Sequence, residues 1–182
     1  MKEKRILGLI LVQTFIALSL GLIGPIYAIY FEKLSNDTYL VPILIGIYWI
    51  FVGILEPIFG RYIDVIGKKK GFVIGCIATS FAIILYPLAT DISTVAIAQI
   101  IAAIGYSLET PSYYSLMAEL TNKKRRGIEI GRVDGFGNLI YGISAILSAI
   151  VLYYFNFGLL FFIAGISYLS AGLISIRFID DI

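Results

Sequence analysis

Histidine is absent from this sequence and cysteine occurs once, at Cys76. Those two shortages exclude a disulfide framework and a Cys/His metal site. Charge is scarce too: 14% of the 182 residues are Asp, Glu, Lys or Arg, against about 25% in soluble domains. No Ser/His/Asp set, paired catalytic carboxylates or Gly-rich phosphate loop occurs along the chain. An enzyme is therefore not expected, and neither a cofactor nor a nucleic-acid partner is implied.

Apolar residues are abundant: 59% of the chain is hydrophobic and the mean hydropathy is +0.94. Such a chain belongs in a lipid bilayer. The apolar residues gather in six stretches, about 6–31, 40–60, 72–88, 95–116, 133–154 and 159–176, with charge confined to the breaks. Each is near the ~20 residues that cross ~30 Å of hydrocarbon as a helix, so a cleaved signal peptide does not account for the pattern. The expectation is an all-α membrane protein with residues 1–182 as a single six-helix domain.

Six crossings place both ends of the chain and the second and fourth breaks on one side. Thirteen of the fourteen basic residues then fall on that side, from Lys2, Lys4 and Arg5 to Arg177, and only Lys33 falls on the other. By the positive-inside rule that side is cytoplasmic, and the expected location is the cell membrane.

The break after the second stretch reads Gly60-Arg61-Tyr62-Ile63-Asp64-Val65-Ile66-Gly67-Lys68-Lys69-Lys70. Gly67 can leave a helix through positive φ. The order Gly, three residues, Asp, two residues, Gly, two basic residues resembles the loop between helices two and three of the major facilitator superfamily. Val65 departs from it, standing where that family usually places a basic residue. Ala118-Glu119-Leu120 followed by Arg125-Arg126-Gly127 is similar to the family's segment after helix four, and Gly105 and Thr110-Pro111 sit where the family has Gly and Thr-Pro. The resemblance implies one half of that fold, six helices arranged as two inverted three-helix repeats. Pro25-Ile26-Tyr27 and Pro111-Ser112-Tyr113 lie at corresponding places in the two triplets. It also implies a secondary transporter of a small solute, completed by a second six-helix half. A homodimer is favoured, with a heterodimer or a non-transporting subunit as the alternatives. Substrate, direction and coupling ion are not encoded in any motif.

Helix faces supply the candidate residues. At 100° per residue Asp134, Asn138, Tyr141, Ala145 and Ser148 form one stripe of the fifth stretch. Gln99, Tyr106, Thr110 and Tyr113 form another on the fourth, with Glu109 at its edge. A central carboxylate costs about 2.5 to 3.5 kcal/mol against lipid on insertion scales. These stripes should therefore face water or protein, and a second bundle is expected to shelter Asn138, Tyr141 and Glu109. Glu109 has no basic residue at its depth and needs a proton, water or a transported cation for company. Gln13 joins Gln99, Tyr106, Glu109, Tyr113, Asp134, Asn138 and Tyr141 as the expected solute or ion pathway. Gln99 replaces the arginine that many family members carry there, and the Gly-Pro motif of drug antiporters is missing from the fifth stretch. Both departures put a drug–proton antiport mechanism in doubt. Gly46, Gly53 and Gly60, seven apart, form an expected seam for another helix. The resemblance makes Asp64 a gate residue with Arg126 as its partner, alongside Gly60, Gly67, Lys68 and Lys69. Tyr27, Tyr30, Tyr86, Tyr153 and Tyr154 read as interfacial anchors.

Overall fold

A computed structural model describes residues 2–178 of the chain, with side chains described for residues 5–177. The acidic end at Asp180 and Asp181 and the side chains of Lys2 and Lys4 lie outside the described residues.

Among the described residues the secondary structure is helical throughout. The first span is broken: α1 (Lys2–Ile23) passes through a 3₁₀ turn at Gly24–Ile26 into α2 (Tyr27–Ser35). Then come α3 (Leu40–Ile66), α4 (Lys68–Leu85) with a 3₁₀ turn at Tyr86–Leu88, α5 (Ile92–Leu120), α6 (Arg126–Tyr154) and α7 (Phe157–Phe178). Six spans are long and apolar enough to cross a bilayer.

The helices extend beyond the apolar stretches that announce them. The expected break at 60–71 is largely helical: α3 continues to Ile66 and α4 begins at Lys68. Hydropathy marks only the length that needs lipid, whereas the backbone gains its hydrogen bonds equally in the polar flanks. The turn is confined to Gly67, whose φ of +94° ends one helix and starts the next. At the other end of the bundle Asp91 opens α5 with a capping box. Its carboxylate accepts from the Ser93 and Thr94 amides at 2.8 and 3.0 Å, and the Thr94 hydroxyl accepts from the Asp91 amide. The bond from Thr94 leads the causes that hold this exposed carboxyl below its ordinary pKa.

Packing runs as a row. α3 lies on α5, α5 on α4, α4 on α7, α7 on α1, and α1 on α6. In span numbers the order is 2-4-3-6-1-5. Exchanging spans one to three with four to six reverses this row and leaves every pairing intact, as expected of two related three-helix units. α3 and α6 are the two ends. Only 17% of the apolar window of each is buried, against 50% in each of the other four spans.

Close approach is set by small residues. A Cβ on Gly75 would meet the Gly105 carbonyl oxygen and the Glu109 amide at 2.7 Å, so α4 and α5 touch backbone to backbone. α1 and α6 meet where Gly21 faces Tyr141 and Ser144, and where Gly137 faces Gln13.

Candidate solute-binding site

The pathway residues expected from sequence separate into three places. Glu109 is 5% exposed, and its Oε2 accepts a hydrogen bond from the Tyr168 hydroxyl of α7 at 2.7 Å. Its shelter is therefore its own bundle, not a second one. The 3.6-residue period could not show this, because it gives a residue's angle on α5 without saying that α7 stands behind it. Tyr113 is also buried, against Phe72, and its hydroxyl has no partner.

The α6 stripe behaves differently along its length. Asn138 and Tyr141 are exposed and Asp134 is half-buried. The stripe expected to continue to Ser148 does not: Ser148 is 2% exposed and its hydroxyl donates to the Ala145 carbonyl at 2.7 Å. A seven-residue repeat drifts by ~20° per heptad on a straight helix. Ser148 has turned onto the buried side that Gly137 and Ser144 occupy. Gln13 is half-buried at this α1–α6 contact.

Gln99 belongs to the third place, a crevice between α1, α3, α4 and α5 near the end where α2 stops and α3 begins, and Tyr106 lies beside it against the ring of Trp49. Gln99 is 2% exposed. The Tyr27 hydroxyl donates to Tyr86 at 2.5 Å, and the Tyr86 hydroxyl donates to Gln99 Oε1 at 3.2 Å. Tyr30 donates to the Tyr86 carbonyl at 2.6 Å. Tyr27, Tyr30 and Tyr86 are thus an internal cluster and not the interfacial anchors expected; only Tyr153 and Tyr154, at 83% and 72% exposure, stand at the surface. The Gly24-Pro25 break and Pro87 were the available signals, since both mark kinks beside these rings. Tyr106 packs edge-on against Trp49, with centroids 5.7 Å apart, and Trp49 against Tyr48 at 5.2 Å.

At the opposite end the expected Asp64–Arg126 pair is not formed. Asp64 is exposed. Arg126 donates to the Ala118 carbonyl and the Thr121 hydroxyl, and Lys68 pairs with Glu119. Arg126 thereby supplies a partner to a carbonyl in the last turn of α5, where helical donors run out, and Lys68 neutralises a side chain of the same turn. A Cβ on Gly46, Gly53 or Gly60 would meet nothing within 4 Å, so the α3 seam is open. Gly127, Gly131, Gly135 and Gly142 leave α6 equally bare, a second open seam.

Sequence comparison adds the family. A match to the Major Facilitator Superfamily covers residues 9–181. Multidrug resistance protein 2 of Bacillus subtilis is 25% identical over 73% of this chain and 34% of its own length. Multidrug resistance protein 1 of the same organism is 27% identical over 72% and 34%. An uncharacterised MFS-type transporter of Methanocaldococcus jannaschii is 25% identical over 91% of this chain and 43% of its own. The chain thus spans between a third and under half of the curated relatives it matches. Six apolar spans and a family match along nearly their whole length lead to one conclusion: the chain belongs to the Major Facilitator Superfamily, as an integral, multi-pass membrane protein of a transporter family and not an enzyme.

Proposed function

We propose that this six-helix bundle is one half of a secondary active transporter of a small solute, working by alternating access against a second six-helix half. The observation that supports it most directly is the bareness of the two end helices. α3 and α6 each bury 17% of their apolar windows, and each carries glycines beside which nothing packs. α6 also exposes Asn138 and Tyr141. Polar groups facing lipid are costly, and smooth glycine seams let a second bundle approach closely enough to cover them.

The favoured partner is a second copy of the chain, since the basic residues orient every copy alike, with both ends cytoplasmic in the cell membrane. The solute path runs between the halves along Gln13, Asp134, Asn138 and Tyr141, with Gln99, Tyr106 and the buried Tyr113 beside it. Glu109 handles a proton or cation. Asp64, exposed beside the Gly67 turn, meets the other half when the cytoplasmic side closes. Gly60, Lys68, Lys69 and Arg126 complete that gate.

Single cysteines at Gly53 and Gly142 in a Cys76→Ala background test the pairing. Both positions are exposed in the middle of their spans. Crosslinked dimer in membranes, with solute-dependent flux in liposomes, is expected. Exclusively monomeric product would overturn the homodimer, and absence of flux from the dimer before crosslinking would overturn transport.

A further inference from the structure

The crevice near the α2–α3 turn holds a half-open cavity of about 360 Å³, and every residue lining it belongs to one chain. That size lies in the ~300–1,000 Å³ range of small-molecule sites. Its walls include the rings of Tyr27, Tyr48, Trp49 and Tyr86, and no charged side chain lines it. The one amide in the lining is Gln99. Its Oε1 is occupied by the Tyr86 hydroxyl, and its Nε2 is buried with no acceptor in reach. The hydrogen-bond chain from Tyr27 through Tyr86 therefore ends on an unused donor.

We propose that this cavity binds an uncharged, largely aromatic solute bearing one hydrogen-bond acceptor, which accepts a hydrogen bond from Gln99 Nε2 while its rings stack among Tyr27, Tyr48, Trp49 and Tyr86. An unpaired buried donor carries a desolvation cost that an acceptor removes and an apolar molecule does not. An ion entering the same space sheds its water and meets no countercharge. Aromatic walls reward offset or edge contacts with a flat ring.

The proposal deepens the transport reading by naming the class of its solute. Binding needs neither a second half nor flux, because one chain walls the cavity. A chain that binds without transporting would sink the transport reading alone, and one that transports without this binding would sink only the cavity's role.

Equilibrium dialysis of the whole chain in lipid nanodiscs, corrected with empty nanodiscs, tests it. Four radiolabelled probes are compared: benzanilide, with two rings and a carbonyl acceptor; trans-stilbene, of similar shape without one; diphenylacetate as the anion; and dibenzylammonium as the cation. Saturable binding is expected for benzanilide, with stilbene weaker by about tenfold, the value of one buried hydrogen bond. Both ions should bind more weakly than benzanilide. Gln99→Leu should weaken benzanilide by about tenfold and leave stilbene unchanged, a split that a merely structural glutamine would not produce. If Gln99→Leu does not fold, Trp49→Leu decides: Trp49 is 53% exposed, so the bundle tolerates the change, and both neutral probes should weaken several-fold. No saturable benzanilide binding, equal affinity for stilbene, tighter binding of either ion, or unchanged affinity in Trp49→Leu would each overturn the proposal.

Discussion

Gly75 and Gly53 are both glycines in the middle of membrane helices, yet one added methyl group should act on them in opposite ways. At Gly75 the new Cβ would sit 2.7 Å from the backbone of Gly105 and Glu109, and neither helix can yield without moving as a whole. Gly75→Ala should cost about 1–3 kcal/mol, as overpacking does. Gly53→Ala has open space and should stay within about 0.5 kcal/mol. Thermal midpoints of the purified variants in detergent compare the two. Glu109 and Tyr168 form a second residue-scale test. Tyr168→Phe leaves Glu109 Oε2 without its donor and should cost about 1–3 kcal/mol. Glu109→Gln keeps an acceptor for Tyr168, so the fold should persist while pH-driven uptake is lost. Unchanged uptake in that variant would remove Glu109 from the coupling mechanism.

Among the elements, the start of α5 and the joint between α3 and α4 show how little chain is needed to reverse direction. α5 begins at one aspartate. Asp91 satisfies the Ser93 and Thr94 amides, donors that no helical carbonyl reaches. Its folded pKa is depressed, so its contribution is present above the ordinary carboxylate range and is lost as pH falls through the lowered value. Asp91→Ala should therefore lower the thermal midpoint at neutral pH. The gap to the parent should close as pH drops below about 4; a gap independent of pH would contradict the cap. The α3–α4 joint needs one glycine in the left-handed half of φ space, a conformation costly to any residue with a Cβ.

For the whole molecule, the row of helices leaves α3 and α6 at its two ends. A bundle that buries four spans well and two poorly has surfaces suited to another bundle. Gly53→Leu projects a branched side chain from the α3 seam, at a position where a Cβ meets nothing within 4 Å. It should leave the midpoint of the single bundle unchanged and weaken the dimer association constant by about tenfold, the effect of about 1.4 kcal/mol of overpacking. Subunit counting by single-molecule photobleaching in bilayers measures this. An undiminished dimer would place the contact elsewhere.

Much of the architecture is legible in the amino-acid order alone. Spanning length follows from bilayer thickness, so six apolar stretches meant six helices. Sidedness was expected from thirteen cations gathered at the two ends of the chain and in the second and fourth breaks, and the Gly60 and Arg126 segments carried the family. The candidate site was legible only in pieces. Gln99 and Tyr106 stand out as pathway candidates and Tyr27 and Tyr86 as interfacial anchors, but nothing in the sequence marks Tyr48 and Trp49 beside them. The physical reason is that a soluble helix betrays its buried side by an apolar stripe, whereas a membrane helix is apolar on nearly every side. Direction around the axis is then undetermined until neighbours are known. That Ser148 turns inward, that Tyr168 reaches Glu109, and that one unused amide proton ends a chain of tyrosines depended on which helices came to lie side by side, and only the tertiary structure decided that.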